Sequence, residues 1–194
     1  MTTNFRTATI EELCLAAEAT LHEIETAFGG LDDEQLSWQP APGEWSIGQC
    51  LDHLVVTNRV YFPKLRAITQ GAYRPTFWER VPLLPSLFGP QLVRMMEPGQ
   101  APGMQAPAVF QPGAAETRAG NVAEFAAMQR ELLELMQRCT GLDASRIVVA
   151  SPAAAWVTYS LLDALRIIVT HEQLHFGQAR QVMAQGAFPA HASV

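Results

Sequence analysis

Two histidines stand one helical turn apart in the stretch THEQLHFGQARQVM, Thr170 to Met183. On a helix, His171 and His175 would project from one face about 5–6 Å apart, a common way to offer two imidazoles to one metal ion. At about 100° per residue they share a stripe with largely apolar neighbours. That stripe is Ala164, Ile167, Ile168, His171, His175, Gln178 and Val182. The alternative is a pair of ordinary core histidines, but two in register within one core stripe favour the ligand role.

A third histidine lies in a similar stripe far upstream. This histidine, His53, is in the middle of a stripe on one face of a predicted helix. The stripe is Ser46, Gln49, Cys50, His53, Val56, Thr57 and Val60. A bundle that aligns the two stripes would bring three neutral imidazoles together and leave coordination positions open, as in catalytic metal sites. The other two histidines look incidental, because His22 falls outside its helix's stripe and His191 is in the C-terminal tail.

The segment His171 to His175 also fits the H-E-x-x-H pattern of zinc metallopeptidases. Such enzymes need a further ligand downstream, either a histidine six residues after the second one or an acidic residue. Position 181 is Gln181, and no Asp or Glu follows Glu172. A peptidase is therefore a remote alternative, and we expect Glu172 at the flank of its helix, facing solvent or a partner helix, and dispensable for catalysis.

Three other side chains are candidates to support the site. Cys50 precedes His53 by one turn and could approach the metal as a thiolate, although a small core residue is the favoured interpretation. Gln178 lies one turn beyond His175, and Gln129 takes a place where Leu or Met would be expected. Either glutamine could orient a substrate or a water molecule, or could satisfy a buried carbonyl. One of the four tryptophans is expected at the pocket mouth.

Four helices are predicted to position these residues. Thr9 and Ser46 are N-cap candidates, Ser160 forms an S-x-x-D capping box, and Pro63 predicts a kink inside helix two. The predicted spans are Thr9–Gly29, Ser46–Gly71, Ala115–Gly141 and Ser160 to about Gln185.

A long connection, at about residues 72–115, separates helices two and three. It is rich in proline and glycine yet carries many aromatic and aliphatic side chains, so we expect it to be packed. A crossover this long allows helices two and three to run parallel. The chain is thus predicted to be an all-α four-helix bundle in up-down-down-up order, forming one domain over residues 1–194. The short RIVVA segment could be a strand, but no partner strand is evident.

Composition limits the functions that this domain can have. The net charge of −6 gives no electrostatic footprint for nucleic acid or an anionic membrane, and no apolar run is long enough to span a bilayer. Three scattered cysteines form no disulfide framework and, without an export signal at the N-terminus, suit the cytoplasm. Hydrophobic residues make up 48%, a surplus that is compatible with a homodimer.

The segments EWSIGQCLDHL and HEQLHFGQARQVM resemble the helix-two and helix-four signatures of the DinB-like superfamily, which includes YfiT-type metal-dependent hydrolases. The resemblance implies a four-helix bundle with a long crossover after helix two. It also implies that His53, His171 and His175 bind one divalent ion, with nickel, zinc and iron all known in the family. Characterised relatives include transferases that use low-molecular-weight thiols.

Three neutral histidines would leave the ion its full charge, which lowers the pKa of a bound water or thiol. The sequence therefore predicts a metal-dependent enzyme acting on a small molecule, by thiol-dependent S-transfer or by hydrolysis. The alternative is a protein without enzymatic activity, a dimeric helical bundle that binds a metal or a ligand.

Overall fold

The computed structural model describes residues 4–97, 110 and 120–190, and most of these residues are helical. Besides the helices there is a short 3-10 helix, Trp78–Arg80, and a pair of three-residue strands. In chain order the elements are α1 (Ile10–Phe28), α2 (Asp33–Ser37), α3 (Ile47–Arg59), α4 (Phe62–Thr69), α5 (Leu84–Met95), α6 (Gly120–Cys139), β1 (Val148–Ala150), β2 (Thr158–Ser160) and α7 (Leu161–Met183).

The helix starts follow from local hydrogen bonding. The side chains of Thr9, Ser46 and Ser160 each accept a hydrogen bond from the backbone N–H three residues further on. At Thr9 and Ser46 the residue in that third position also accepts from the cap's own N–H, which completes a capping box. These contacts satisfy N–H groups that have no partner within the helix. The three N-caps predicted from the sequence are confirmed, but the capping box predicted at Ser160 is incomplete, because Asp163 accepts from the hydroxyl of Ser160 rather than from its backbone N–H.

The long helices α1, α3, α6 and α7 surround a common core. Helix α1 packs against α6 and α7, and α3 packs against the same two helices. Their inner faces form a continuous apolar cluster that includes Phe28, Leu54, Phe125 and Ile168. A predominantly helical core is therefore confirmed, whereas the up-down-down-up order of the helices stays a prediction.

The predicted helix two is interrupted rather than only kinked. Helix α3 ends at Arg59, and α4 begins at Phe62 with Pro63 in its first turn. Proline is tolerated there because an N–H in the first turn has no partner within the helix, and its ring would clash with the preceding turn anywhere later.

The crossover is packed on one face and exposed on the other. Helix α5 lies against α7 and β2, with Val93 fully buried and Gly89 so close to Asp163 that a Cβ would collide with its carboxylate. However, Trp78, Leu83 and Leu87 are 42%, 80% and 65% exposed, where the sequence predicted burial. The rest of the predicted crossover, residues 98–109 and 111–115, lies outside the described residues.

A two-stranded antiparallel sheet adds to the predicted all-α fold. Strand β1 pairs with β2 in a register that places Val149 opposite Tyr159. The partner that RIVVA lacked in the sequence is thus the three residues that lead directly into α7. The hairpin fixes the point at which α7 begins.

Candidate metal centre

Three buried histidines meet between α3 and α7. His53 comes from the middle of α3, and His171 and His175 come from successive turns of α7. They are 2%, 9% and 7% exposed, and their ligand atoms all lie within 4.8 Å of one another. The convergence predicted from the two stripes is present in the structure.

The spacing of the nitrogens fits a shared ion. His171 Nε2 lies 3.2 Å from His53 Nε2 and 2.9 Å from His175 Nε2. Two nitrogens bound to one ion at about 2.0–2.1 Å, at angles between octahedral and tetrahedral, lie about 2.8–3.4 Å apart. The donor set therefore fits a divalent ion held by three imidazoles.

The tautomer of His53 is fixed by the main chain. Its Nδ1 lies 2.5 Å from the carbonyl oxygen of Phe110. Because a carbonyl can only accept, Nδ1 must carry the proton and donate it. The neutral ring then presents the lone pair of Nε2 to the other two histidines, which is the usual outer support of a metal-binding histidine.

Burial keeps all three imidazoles neutral. Desolvation lowers the pKa of His53, lowers that of His171 well below 6.5, and lowers that of His175 to about 3. The proximity of the other rings lowers the pKa of His171 and His175 further, because two positive charges would repel. At neutral pH each ring therefore retains a lone pair for a cation.

Trp45 covers this cluster from one side. Its indole ring centroid lies 4.8 Å from that of His53 and 5.5 Å from that of His175, with the second pair nearly parallel. The ring is half-buried, so it lies between the histidines and solvent. Of the four tryptophans, this one is at the site.

Gln178 and Cys50 fare differently as supporting residues. Gln178 is exposed. It lies close enough to His175 to raise the pKa of that ring, although burial lowers the pKa by more. His175 Nδ1 has no hydrogen-bond partner of normal geometry among the described residues. Cys50 is fully buried, and burial raises the pKa of its thiol to about 12. Such a thiol stays protonated, which favours its interpretation as a small core residue.

Glu172 faces partner helices, one of the two environments expected for it, and not solvent. It lies beside the histidine stripe of α7 and is fully buried. Its carboxylate accepts hydrogen bonds from Asn58 Nδ2 at 2.7 Å and from Gln129 Nε2 at 2.9 Å. Burial raises its pKa to about 8, although both hydrogen bonds lower it. Only the solvent-facing alternative is wrong, because α7 is buried on more than its histidine stripe.

Gln129 contacts Glu172 rather than the histidines. Its amide also donates to the carbonyl oxygen of Ala17 in α1, at 3.2 Å. Asn58, which was not predicted as a site residue, is fully buried on the same helix as His53. It shares a helix face with Leu51, Leu54 and Val55, and a polar side chain on that apolar face was the available signal. His22 is exposed, and His191 lies outside the described residues.

In the part of the chain that the structure describes, no helix is both long and apolar enough to cross a membrane. No curated protein and no solved structure matches the chain. The family model of the DinB superfamily matches residues 16–179, a range that includes all three clustered histidines. The chain therefore belongs to the DinB superfamily.

Proposed function

We propose that this protein is a metal-dependent enzyme that binds one divalent ion through His53, His171 and His175. The observation that carries the proposal is the approach of three neutral Nε2 atoms to 2.9 and 3.2 Å of one another, inside the bundle. Imidazole accommodates nickel, zinc and iron alike, and these are the three ions that the family resemblance implies. The ion would supply Lewis-acid chemistry, by lowering the pKa of a thiol or a water molecule.

The chain's own residues would hold and shield the site. The carbonyl of Phe110 orients His53, and Trp45 excludes solvent from one side of the cluster. We infer a small-molecule substrate that reacts with a low-molecular-weight thiol in an S-transfer, or is hydrolysed. The free, buried thiols of Cys14, Cys50 and Cys139 support a reducing compartment, the cytoplasm, where such thiols are abundant. The proposed activity involves neither a nucleic acid nor a membrane.

Elemental analysis of protein purified without an affinity tag or chelator tests the metal site. We expect about one equivalent of a divalent ion in the wild type, because the three histidines form a single donor set. His53→Ala, His171→Ala and His175→Ala should each lose most of it. His22→Ala, which removes an exposed histidine, is the matched control and should keep it. Full metal content in His53→Ala would exclude a site shared between α3 and α7.

The alternative is a bundle that binds a metal or a ligand without catalysis. The two functions differ in whether a coordination position is open to a substrate. In Co²⁺-substituted protein, a change in the visible spectrum when a small thiol is added supports the enzyme. A spectrum that no thiol or anion perturbs supports the binding protein.

A zinc peptidase is the remote alternative raised by the H-E-x-x-H match. Its glutamate would have to act as a base on water, whereas both carboxylate oxygens of Glu172 accept hydrogen bonds from amide side chains. We expect no chelator-sensitive cleavage of a peptide library, and Glu172→Gln should retain its metal. Reproducible cleavage that disappears in Glu172→Gln would restore the peptidase.

A further inference from the structure

A buried hydrogen-bond network joins all four long helices at the centre of the bundle. Glu172 of α7 accepts from Asn58 of α3 and from Gln129 of α6, and the same Gln129 amide donates to the carbonyl oxygen of Ala17 in α1. Glu172, Asn58 and Gln129 are each fully buried. The histidine chemistry described above uses none of these side chains.

Such a network is costly to maintain inside a protein. A buried carboxyl group and two buried amides must be removed from water, and apolar side chains of similar volume are often at least as stabilising. Here the carbonyl oxygens of Asn58 and Gln129 are buried without a hydrogen-bond partner among the described residues. Stability alone therefore does not explain these residues, whereas a directional link between helices does.

The network connects the two helices that supply the histidines. Glu172 follows His171 directly on α7, and Asn58 is on α3 with His53. A slip of one residue along a helix moves its side chains by about 1.5 Å and rotates them by about 100°. Such a slip would break the 2.7 Å bond from Asn58 to Glu172 and separate the Nε2 atoms of His53 and His171.

We propose that Glu172 is a positioning residue, and that its hydrogen bonds to Asn58 and Gln129 fix the register of α7 against α3 so that the three imidazoles converge. The glutamate of the H-E-x-x-H match would thus act on the geometry of the site and not as a base. The effect on metal affinity rests on the proposed function, whereas the effect on the metal-free geometry does not.

The first test is geometric and needs no metal. In a crystal structure of metal-free Glu172→Leu, the Nε2 atoms of His53 and His171 should lie at least about 1 Å further apart than in the wild type, a displacement that disables designed sites. Glu172→Gln, which keeps the shape and one hydrogen-bond acceptor, should preserve the separation. An unchanged separation in Glu172→Leu would overturn the proposal.

The second test is zinc affinity, measured by competition with a chelator. Glu172→Leu should bind at least about tenfold more weakly than wild type, as when residues behind metal ligands are lost. Glu172→Gln should restore most of the affinity. The matched control is Gln173→Leu, which removes the 2.5 Å bond from Gln173 to Thr20 between α7 and α1 but leaves α3 untouched. Its affinity should stay near that of the wild type.

Asn58→Leu provides a second variant, because it breaks only the link between α3 and α7 and leaves the bond from Gln129 to Glu172. It should weaken zinc binding and widen the cluster in the same direction. Equal affinity in wild type, Glu172→Leu and Asn58→Leu would refute the positioning role while leaving the metal site intact. If the wild type itself binds no metal, the proposed function fails, and the metal-free geometry decides on the positioning role.

Discussion

Burial determines which side chains at the centre can be ligands. The same desolvation that lowers the pKa of His175 to about 3 raises that of the Cys50 thiol to about 12. A neutral imidazole is ready to bind a cation, whereas a neutral thiol must first lose a proton. Buried residues of the two stripes are therefore suited to different roles by one physical effect.

Cys50→Ala should consequently leave the metal in place. We expect metal content within error of the wild type, because no thiolate is available to bind the ion, and a modest loss of stability of about 1 kcal/mol for the small cavity. Elemental analysis and urea unfolding measure the two effects. Loss of the metal in Cys50→Ala, with the fold intact, would make this cysteine a ligand.

Trp45 offers a spectroscopic probe of the same site, since its ring stacks on His175 and contacts the ring of His53 at a tilt. Binding of Ni²⁺ or Co²⁺ should quench its emission, because these ions accept excitation energy only at short range. Trp45→Phe should lose most of the quenching, and Trp156→Phe, which changes a tryptophan on an exposed loop, should keep it. Equal quenching in both variants would place the ion elsewhere.

The histidines were predictable because helical spacing alone places them on one face. The burial of Glu172 was not, because a charged side chain beside a core stripe is assigned to the surface unless a polar side chain on another helix is known to meet it. Gln129 and Asn58 are that counterpart, and they are over forty residues away from Glu172 in the sequence. Pairings between distant helices are a property of packing that periodicity does not contain.

At the scale of elements, one carboxylate connects four parts of the chain. Glu79, in the 3-10 helix, accepts hydrogen bonds from Lys64 of α4, from the backbone N–H of Thr76 and from the backbone N–H of Ala150 in β1, each at 2.7 Å. Its side chain is completely buried. It therefore holds the start of the crossover against the hairpin that precedes α7.

This carboxylate predicts how stability depends on acid. Burial alone would raise the pKa of Glu79, but the hydrogen bonds from Lys64, Thr76 and Tyr73 outweigh it and lower the pKa from 4.5 to about 2. A lowered pKa means that the unfolded chain takes up the proton first as the pH falls. The contribution of Glu79 is therefore complete above pH 4.5 and is lost between pH 4.5 and about 2.

Glu79→Gln should remove that part of the pH dependence. Urea unfolding at pH 6 should show a loss on the order of 2 kcal/mol, and the difference from wild type should shrink towards pH 2. Glu124→Gln, which removes an exposed carboxylate paired with Arg59, should retain the slope of the wild type. Parallel curves for Glu79→Gln and wild type would contradict the assignment.

The elements that the sequence predicted are those with local signals. The N-cap side chains indicate where three helices begin, at Thr9, Ser46 and Ser160. Pro63 indicates where the predicted helix two is interrupted. Strand β2 and helix α5 carry no such signal, because their form depends on contact with each other and with α7. Short strands and proline-containing helices are stabilised mainly by packing, which a local pattern cannot reveal.

At the scale of the molecule, the crossover and the hairpin leave an exposed apolar surface. It consists of Phe77, Trp78, Leu83, Leu87 and Trp156, which are between 42% and 80% exposed. Trp156, in the loop that joins β1 to β2, packs edge-on against Phe88 of α5, next to Leu87. This loop and helix α5 therefore form one surface. Exposed apolar surfaces of this kind mark sites of protein–protein association.

We therefore expect the protein to form a homodimer through this surface. In a twofold interface each residue occurs twice, so the double variant Leu83→Glu/Leu87→Glu would bring four carboxylates into one apolar contact. Sedimentation equilibrium should show a dimer for the wild type and a monomer for this variant, with unchanged metal content. Leu15→Glu, on an exposed position of α1, is the control and should stay dimeric. A wild type that is monomeric at high concentration, or a double variant that still dimerises, would contradict this interface, because neither result is compatible with association driven by these side chains.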